Sequence, residues 1–229
     1  MKLIVVTLSF LMIIMISLPS FAGTYVENFG DGDLDGWESI GPALWEIVDG
    51  VVTGRSNVSS GSGIMFGEDE WRNYTIECDS KIVETLASLP NASLGIRMLY
   101  RNISNFNYIW CLPSVGWGTA LIWPWLNGNG LGTSAQKPFK QEMDRWYHFK
   151  AVANEDNFEF YIDGELMASY TDDRFPTGCI MLQTNACLSN FDNIVIAGDG
   201  IPYNTNNIAA VSSSGKLATK WGQIRSHQD

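Results

Sequence analysis

The segment Trp146–Tyr170 constrains the fold of this chain more than any other part of it. It reads WYHFKAVANEDNFEFYIDGELMASY, and within it Phe158, Phe160 and Ile162 stand two residues apart. This period of two is typical of a strand with one buried face. Asp163-Gly164 fits a two-residue type I′ turn, whose central residues both take positive φ. The segment therefore predicts consecutive antiparallel hairpins.

The rest of the chain repeats this pattern of short strands separated by turn residues. Trp71–Val83 alternates apolar and polar residues, and Asp49-Gly50 offers a second type I′ turn between two apolar runs. We interpret residues 113–145 as a long, irregular Trp- and Gly-rich excursion. Short strands without a helical apolar stripe predict an all-β fold, an antiparallel β-sandwich. The other predicted strand segments are Ala43–Val52, Ser93–Tyr100, Phe106–Leu112, Cys179–Gln183 and Phe191–Ile196.

The N-terminus has the three parts of a secretory signal peptide. Lys2 is positive, residues 3–16 are predominantly apolar, and Ser20 and Ala22 are small residues at the −3 and −1 positions. A retained membrane anchor is the alternative, but the apolar run is short for a spanning helix and ends at Pro19. We expect cleavage after Ala22, export to the periplasm or the extracellular space, and no membrane insertion of the processed protein.

The sequence divides into three parts. After the signal peptide of residues 1–22, residues 23–200 are predicted to form one β-sandwich domain with its own core. Residues 201–229 read as a polar linker and C-terminal tail. The tail is either a disordered terminus or a docking segment, since apolar residues recur at helical spacing between positions 217 and 224.

The charge of the chain restricts its partners. The formal net charge is −11, from 25 acidic and 14 basic residues. An acidic chain without a basic patch argues against binding to nucleic acid or to an anionic membrane surface. It fits an exported protein that meets neutral or cationic partners, or calcium.

The four cysteines suit two structural roles. An even number of cysteines in an exported chain suggests disulfides. Cys179 and Cys187 are close enough in sequence for a local bridge, which leaves Cys78 and Cys111 as the second pair. The alternative is four buried thiols, because Cys78 alternates with the inward residues of its strand. A zinc site is not indicated, since the chain has no CxxC and only 2 histidines.

Several segments in order resemble the concanavalin A-like lectin/glucanase superfamily, in its laminin-G-like branch of secreted bacterial proteins. They span about residues 25–197. The resemblance implies a jelly roll of two curved antiparallel sheets, whose concave face often meets a glycan. It is weakly specific for function, because the fold hosts lectins, binding modules, adhesion domains and glycosidases. The segments are ENFGDGDLDGWE, LWEIVDGVV, EWRNYTIECDSKI, SLGIRML, NYIWC, RWYHFKAVANEDNFEFYIDGELMAS and FDNIVI.

An acidic loop near the mature N-terminus is a candidate metal site. Asp31, Asp33 and Asp35 form a D-x-D-x-D-G motif, in which alternate carboxylates can converge on Ca²⁺. The twelfth position is Pro42 rather than Glu, so the motif is not an EF-hand. The resemblance adds that superfamily members often carry one structural calcium at the sandwich edge. Two interpretations are open here: a simple acidic turn, and a site for one structural Ca²⁺ ion.

Glu77 and Asp79 are the weak candidates for a catalytic pair. Residues two apart on a strand share a face, as a nucleophile and an acid/base must. Laminarinase-like members of the superfamily carry a third carboxylate on this strand, but here Lys81 or Ile82 holds that position. We therefore interpret the pair as the outer polar face of a strand and lean against an enzyme.

Aromatic side chains around residues 108–125 are the candidate carbohydrate contacts. Sugar rings stack on flat indole faces, while polar groups read hydroxyls. Alternation in SLGIRML places Arg97 opposite the inward residues, on the face that the resemblance makes concave. The alternative is that the indoles fill or cover the core. The candidate residues are Arg97, Tyr108, Trp117, Trp123, Trp125 and Asn127.

A related sugar-hydrolase-like branch carries an Arg in the same strand and a Glu just after the following Gly-Tyr. In this chain the matching segment is Asn107-Tyr108-Ile109-Trp110, so the Glu is absent. The sequence therefore predicts a secreted, non-catalytic, lectin-like domain that binds a cell-surface or extracellular glycan through its concave face and the 113–130 loop. Two alternatives remain: a glycoside-hydrolase-like enzyme of the same superfamily, and an adhesion domain that recognises protein.

Overall fold

The structure is a computed structural model that describes residues 22–58, 62–86, 92–101, 107–132 and 136–204. Within these ranges the secondary structure consists of β-strands and turns, which confirms the all-β prediction. No helix in the described ranges has the length and apolar character needed to cross a bilayer. The strands are β1 Ala22–Glu27, β2 Glu38–Ile40, β3 Leu44–Val48, β4 Val51–Arg55, β5 Gly63–Phe66, β6 Arg72–Thr85, β7 Ser93–Arg101, β8 Asn107–Ser114, β9 Thr119–Leu126, β10 Asn129–Gly130, β11 Lys137–Pro138, β12 Tyr147–Asn154, β13 Asn157–Ile162, β14 Glu165–Thr171, β15 Cys179–Asn185 and β16 Cys187–Asp199.

The strands form two antiparallel sheets that pack face to face. Sheet A runs in the order β14-β13-β12-β6-β16-β4-β3, with β1 paired to β16. Sheet B runs in the order β10-β9-β8-β7-β15-β5-β2, with β11 paired to β9. Each sheet therefore has one inner face toward the core and one outer face away from it.

Strict alternation in the long central strand β6 shows how the sequence defines the inner face. Its side chains are buried at every second position, including Tyr74, Ile76 and Ile82. The residues between them, such as Glu77 and Asp79, lie on the outer face. Burying such side chains contributes about 1.5–3 kcal/mol each relative to leaving them in water.

Both predicted type I′ turns are present. Asp49 and Gly50 have φ of 54° and 71°, and Asp163 and Gly164 have φ of 50° and 81°. These turns join β3 to β4 and β13 to β14. The predicted meander of residues 146–170 is thus β12, β13 and β14, on the free side of β6.

The Trp-rich excursion is more regular than the sequence analysis predicted. Residues 119–126 are strand β9, which pairs with β8 from Ser114–Thr119 to Tyr108–Trp125. Pro124 lies inside the strand, although proline lacks an amide hydrogen and is rare in such positions. The interpretation of 113–130 as a loop was therefore wrong: a turn at 115–118 joins two paired strands.

The structure supports four buried thiols rather than disulfides. All four cysteines are free and buried. A Cys179–Cys187 bridge is excluded because strand β15 is extended between them. Its six residue-to-residue rises from Cys179 to Asn185, just before Cys187, span roughly 20 Å, far beyond the Cα separation of a disulfide. Cys78 and Cys111 lie in the core on opposite sheets.

One β-bulge changes the alternation of β7. Leu99 has a φ of 52°, and the pairing register with β8 shifts between Met98 and Arg101. Leu99 therefore packs in the core beside the inward residues, whereas Tyr100 lies on the outer face. A bulge of this kind redirects side chains along one strand.

The last described residues of the chain pack beside its first strand, β1. Ile201 is buried, and the side-chain amide of Asn204 exchanges hydrogen bonds with the backbone of Val26 in β1. The predicted apolar stripe between positions 217 and 224 lies outside the described residues, as does the signal peptide up to Phe21.

Candidate carbohydrate-binding face

The outer face of sheet B carries a continuous patch of aromatic side chains, which we call the aromatic face. Two rows of paired residues form it across the strands. One row pairs Arg97 with Trp110 and Trp110 with Trp123. The rows together contribute Arg97, Tyr100, Tyr108, Trp110, Trp123 and Trp125, and they pack apart from the core between the sheets.

Simple alternation in β8 and β9 produces this patch. Ile109 and Cys111 point into the core, so Tyr108 and Trp110 must point outward. In β9 the small and aliphatic residues Ala120 and Ile122 are inward, which leaves Leu121, Trp123 and Trp125 on the outer face. These aromatic residues therefore lie outside the core between the sheets.

The rings are arranged as a stacked platform. Trp110 and Trp123 have ring centroids 6.1 Å apart with planes 11° from parallel. Tyr108 and Trp125 are 6.0 Å apart with planes 20° from parallel. Trp123 also contacts Trp125 at 5.5 Å. A platform of this kind presents flat apolar surface, while the indole N–H groups of the three tryptophans are enclosed within it.

Arg97 lies under this platform with its charge enclosed. Its guanidinium carbon is 4.1 Å from the ring centre of Tyr108 and 5.3 Å from that of Trp110, which are cation–π contacts. Only 3% of the residue is exposed, and Nε has no hydrogen-bond partner. Burial lowers the pKa of Arg97, against the smaller opposing effects of Tyr108 and Tyr100.

Gln183 lies beside Arg97 in a position that the sequence analysis missed. It is fully buried, and neither the oxygen nor the nitrogen of its amide has a partner. Its neighbours in the two adjacent strands are both glycines, Gly63 and Gly95. A Cβ on Gly95 would lie 2.5 Å from the carbonyl oxygen of Cys111 and 2.9 Å from the indole nitrogen of Trp110. The glycines therefore leave the Gln183 amide without cross-strand side chains to bond.

The aromatic face concentrates buried polar atoms without partners. Such atoms are rare in proteins, because each costs about 1–3 kcal/mol unless a partner is supplied. Their concentration on one face is the feature expected of a ligand-binding surface. They are Arg97 Nε, Tyr100 Oη, the Nε1 atoms of Trp110, Trp123 and Trp125, and both amide atoms of Gln183.

The last two predicted contacts lie at the ends of β9. Trp117 is in the turn before it, is 49% exposed, and packs on Trp123 with a centroid distance of 5.4 Å. Asn127 follows the strand in a tight turn, with a φ of 50°, and its backbone amide donates to the side chain of Asn107. Trp117 therefore extends the aromatic face, whereas the described contacts of Asn127 belong to the turn.

Glu77 and Asp79 lie on the outer face of sheet A, on the opposite side of the sandwich from Arg97. His148 in β12 bridges them, with Nδ1 2.9 Å from Asp79 and Nε2 3.3 Å from Glu77. Lys150 lies 3.0 Å from Glu77, and Asn193 donates to Asp79 over 2.8 Å. Both carboxylates are thus occupied by neighbours on their own sheet.

The charges of this cluster act on each other. The hydrogen bond to Asp79 raises the pKa of His148, and the negative charges of Asp79 and Glu77 raise it further. Desolvation of the ring works in the opposite direction but is outweighed. Desolvation works to raise the pKa of Glu77, but Lys150 and His148 together outweigh it and lower that pKa. The cluster borders a groove of about 640 Å³ that is also lined by Trp146 and Lys81. A glutamate whose pKa is lowered by its neighbours is poorly suited to act as a general acid.

The acidic loop forms turns on its own backbone. Asp33 Oδ1 accepts from the amide of Asp35 over 2.9 Å, and Asp31 Oδ1 accepts from the amide of Asp33. The three side chains are exposed, and no group of three metal-ligating side chains is arranged around a common point in the described ranges. Calcium at this loop stays a prediction that the local geometry does not strengthen.

Alternation alone could have found Gln183. Ile180 and Leu182 of the predicted strand 179–183 are inward, so Gln183 and Met181 had to face outward beside Arg97. Tyr100 could not be found in this way, because the bulge at Leu99 reverses its direction.

Solved structures similar to this chain share its fold at low sequence identity. The carbohydrate-binding module CBM66 from Bacillus subtilis is 19% identical, with a TM-score of 0.60, over 69% of this chain and 93% of that module. The β-glucanase from Bacillus licheniformis is 12% identical, with a TM-score of 0.58, over 77% of this chain and 98% of that enzyme. These likenesses confirm the predicted jelly-roll sandwich.

A third structure of the same fold is a lichenase derived from a mouse hindgut metagenome. It is 14% identical, with a TM-score of 0.58, over 78% of this chain and 100% of that enzyme. No curated protein matches the sequence. The profile of one protein family, described as the 3-keto-alpha-glucoside-1,2-lyase-like domain, matches residues 24–197. Since that match takes in most of the chain and the whole β-sandwich, the protein belongs to the 3-keto-alpha-glucoside-1,2-lyase-like domain family.

Proposed function

We propose that the protein is an exported carbohydrate-binding domain that holds a glycan on the aromatic face without cleaving it. One observation carries the proposal: stacked indoles and unpartnered buried donors occupy the same outer face of sheet B. Sugar rings offer C–H surface for the first and hydroxyl acceptors for the second. The carbohydrate-binding module named above supports the proposal as a relative in fold.

The positions of the acidic groups favour binding over catalysis. The candidate pair Glu77 and Asp79 is bridged by His148 on the other side of the sandwich. On the aromatic face, the cross-strand row that contains Arg97 has its only carboxylate at Glu38 in β2. Glu38 is three strands from Arg97, a distance of roughly 14 Å across the sheet. Two carboxyl groups flanking one sugar are what glycoside hydrolysis requires.

A sugar-processing enzyme is the second candidate function. The family name refers to a lyase that acts on a 3-keto-glucoside, and Glu38 is an exposed carboxylate at the edge of the aromatic face. An enzyme of this kind predicts product release that is lost in Glu38→Gln. The assignment to the laminin-G-like branch, the structural calcium ion and the export of the chain are further proposals that rest on the sequence alone.

A glycan array tests the proposal directly. The full chain is expressed with its own leader, purified as the host processes it, and applied to the array with calcium and again with a chelator. Trp123→Ala should weaken binding at least tenfold, or about 1.4 kcal/mol, because it removes the central ring of the platform. The matched control is Trp146→Ala, which removes a half-buried indole from the groove of sheet A.

Each result leads to a defined conclusion. Binding that Trp123→Ala loses and Trp146→Ala keeps would support the aromatic face as the site. Binding that both variants keep would place the glycan elsewhere. An array without signal in either buffer would contradict carbohydrate binding and favour the protein-adhesion alternative.

A further inference from the structure

Arg97 carries a buried positive charge that no described carboxylate neutralises. Its guanidinium contacts two aromatic rings, and no ion pair joins it within the described ranges. Two exposed arginines of the same chain do have such partners: Arg55 lies 3.5 Å from Glu84, and Arg145 lies 3.0 Å from Glu142. Removing a charge from water without a partner costs several kcal/mol. The cation–π contacts offset only part of that cost.

The unpartnered atoms around Arg97 are mostly donors. Arg97 Nε, three indole N–H groups and the amide nitrogen of Gln183 can only donate. The Gln183 oxygen can only accept, and the Tyr100 hydroxyl can do either. These enclosed groups give the face an excess of positive partial charge, which favours a ligand that brings more acceptors than donors. An ionised carboxylate brings acceptors alone, with about four lone-pair sites.

Three negative charges lie at one edge of the face. Glu38 is in the edge strand β2, and its charge, with those of Glu68 and Asp69, raises the pKa of Cys179, although burial contributes most. An anionic ligand is repelled from that edge and attracted to Arg97. A glycan held at Arg97 would therefore extend the other way, along Trp110 and Trp123 toward Trp117.

We propose, building on the carbohydrate-binding function above, that the ligand is an acidic glycan and that the carboxylate of a uronic acid residue pairs with Arg97. Because Nε is fully enclosed, the contact falls on the terminal nitrogens of the guanidinium. A planar carboxylate matches the fork of donors that a guanidinium presents. Stacking of the neighbouring sugars on Trp110 and Trp123 then fixes the direction of the chain.

The test compares pairs of glycans that differ only in charge. Polygalacturonate, glucuronan and alginate fragments are each titrated against the full chain beside the same fragments after carboxyl reduction to the neutral alcohol. We expect at least one acidic fragment to bind ten- to a hundredfold more tightly than its reduced form. Its affinity should fall as salt concentration rises, because screening weakens the ion pair.

Variants then assign the preference to Arg97. Arg97→Met should bind the acidic and the reduced fragment equally, and Arg97→Lys should keep part of the preference. The matched control is Arg145→Met, on the sheet A side. It removes the same charge and a similar contact with a tyrosine, since the Arg145 guanidinium carbon lies 4.7 Å from the ring centre of Tyr147. That variant should keep the full preference. The wild-type comparison remains decisive even where Arg97→Met fails to fold.

The outcomes separate the two proposals. Equal binding of the acidic and reduced fragments, or a preference that Arg97→Met retains, would overturn the acidic-glycan assignment and leave carbohydrate binding intact. Binding to sulfated but not to carboxylated sugars would overturn the carboxylate assignment. No binding to any charged or neutral glycan would overturn both proposals.

Discussion

The hydroxyl of Tyr74, on the inner face of sheet A, accepts a hydrogen bond from the backbone amide of Leu99 in sheet B over 2.7 Å. The same hydroxyl donates to the carbonyl oxygen of Cys179 over 3.3 Å. Leu99 is the bulged residue of β7, so one side chain from the opposite sheet satisfies the amide that the bulge frees from the ladder. The bulge in turn directs Tyr100 to the aromatic face.

Tyr74→Phe should therefore affect both stability and binding. It leaves the buried amide of Leu99 without its partner, which costs about 1–3 kcal/mol of unfolding free energy. A relaxed bulge would also shift Tyr100 beside Tyr108, whose rings are stacked at 6.0 Å. Chemical denaturation and glycan titration measure the two effects. Tyr203→Phe, at an exposed tyrosine, is the control and should change neither.

The sequence predicted the sandwich well because its information is local. Alternation and Asp-Gly turns are readable over a few residues, and they correctly assigned the faces of β6 and the meander of residues 146–170. The aromatic face was predicted only in part. Trp123 was assigned to a loop because its segment is rich in tryptophan and glycine, although pairing with β8 holds the segment extended. Tertiary pairing of this kind is not visible in a local pattern.

The disulfide alternative for the cysteines illustrates the same limit. Sequence spacing brought Cys179 and Cys187 together, but extended β15 separates them. Gln183 was overlooked for a different reason: its importance comes from the glycines opposite it on two other strands, Gly63 and Gly95. Neither relationship can be read until the order of the strands in the sheet is known.

The thiols give a direct prediction. Burial raises the pKa of all four cysteines and encloses them, so iodoacetamide should label none in the native protein. After unfolding without a reductant, mass spectrometry should find all four labelled, because all four are free. Labelling of two or none in the unfolded chain would show that disulfides form after all.

The cluster on sheet A predicts a pH dependence that is separate from glycan binding. Since the pKa of His148 is raised in the folded state, its protonated form stabilises the fold at pH values below the unfolded value of about 6.5. That stability is lost as pH rises through the folded pKa. The side chain is 45% exposed, so screening by solvent limits the change to less than about 1 kcal/mol.

NMR titration of the histidine ring protons measures this shift. Asp79→Asn should bring the pKa of His148 down, because it replaces the carboxylate that contributes most. His148→Gln should remove the pH-dependent part of the unfolding free energy and identify the resonance against that of His227. Glycan affinity should be unchanged in both variants, since the cluster lies across the sandwich from Arg97. A parallel loss of affinity would connect the two faces and contradict their separation.

Gln183 provides the most direct test of whether the unpartnered atoms take part in ligand binding. Gln183→Met keeps the length of the side chain and removes an amide that is fully buried without a partner. The free protein should gain about 1–3 kcal/mol of unfolding free energy, the desolvation cost that the amide now carries. Glycan affinity should fall in the same variant, because the amide would find its partners only in the complex.

The matched control for this trade-off is Gln141→Met. Gln141 is also buried with both amide atoms unpartnered, but it lies in the connection between β11 and β12 rather than in the strands of the aromatic face. It should gain stability in the same way and keep full glycan affinity. Thermal denaturation and isothermal titration of both variants compare the two sites. If Gln183→Met gains stability and binds glycan as well as the wild type, the amide is a packing defect. If the variant gains stability and loses affinity, the fold gives up stability at Gln183 in order to bind its ligand.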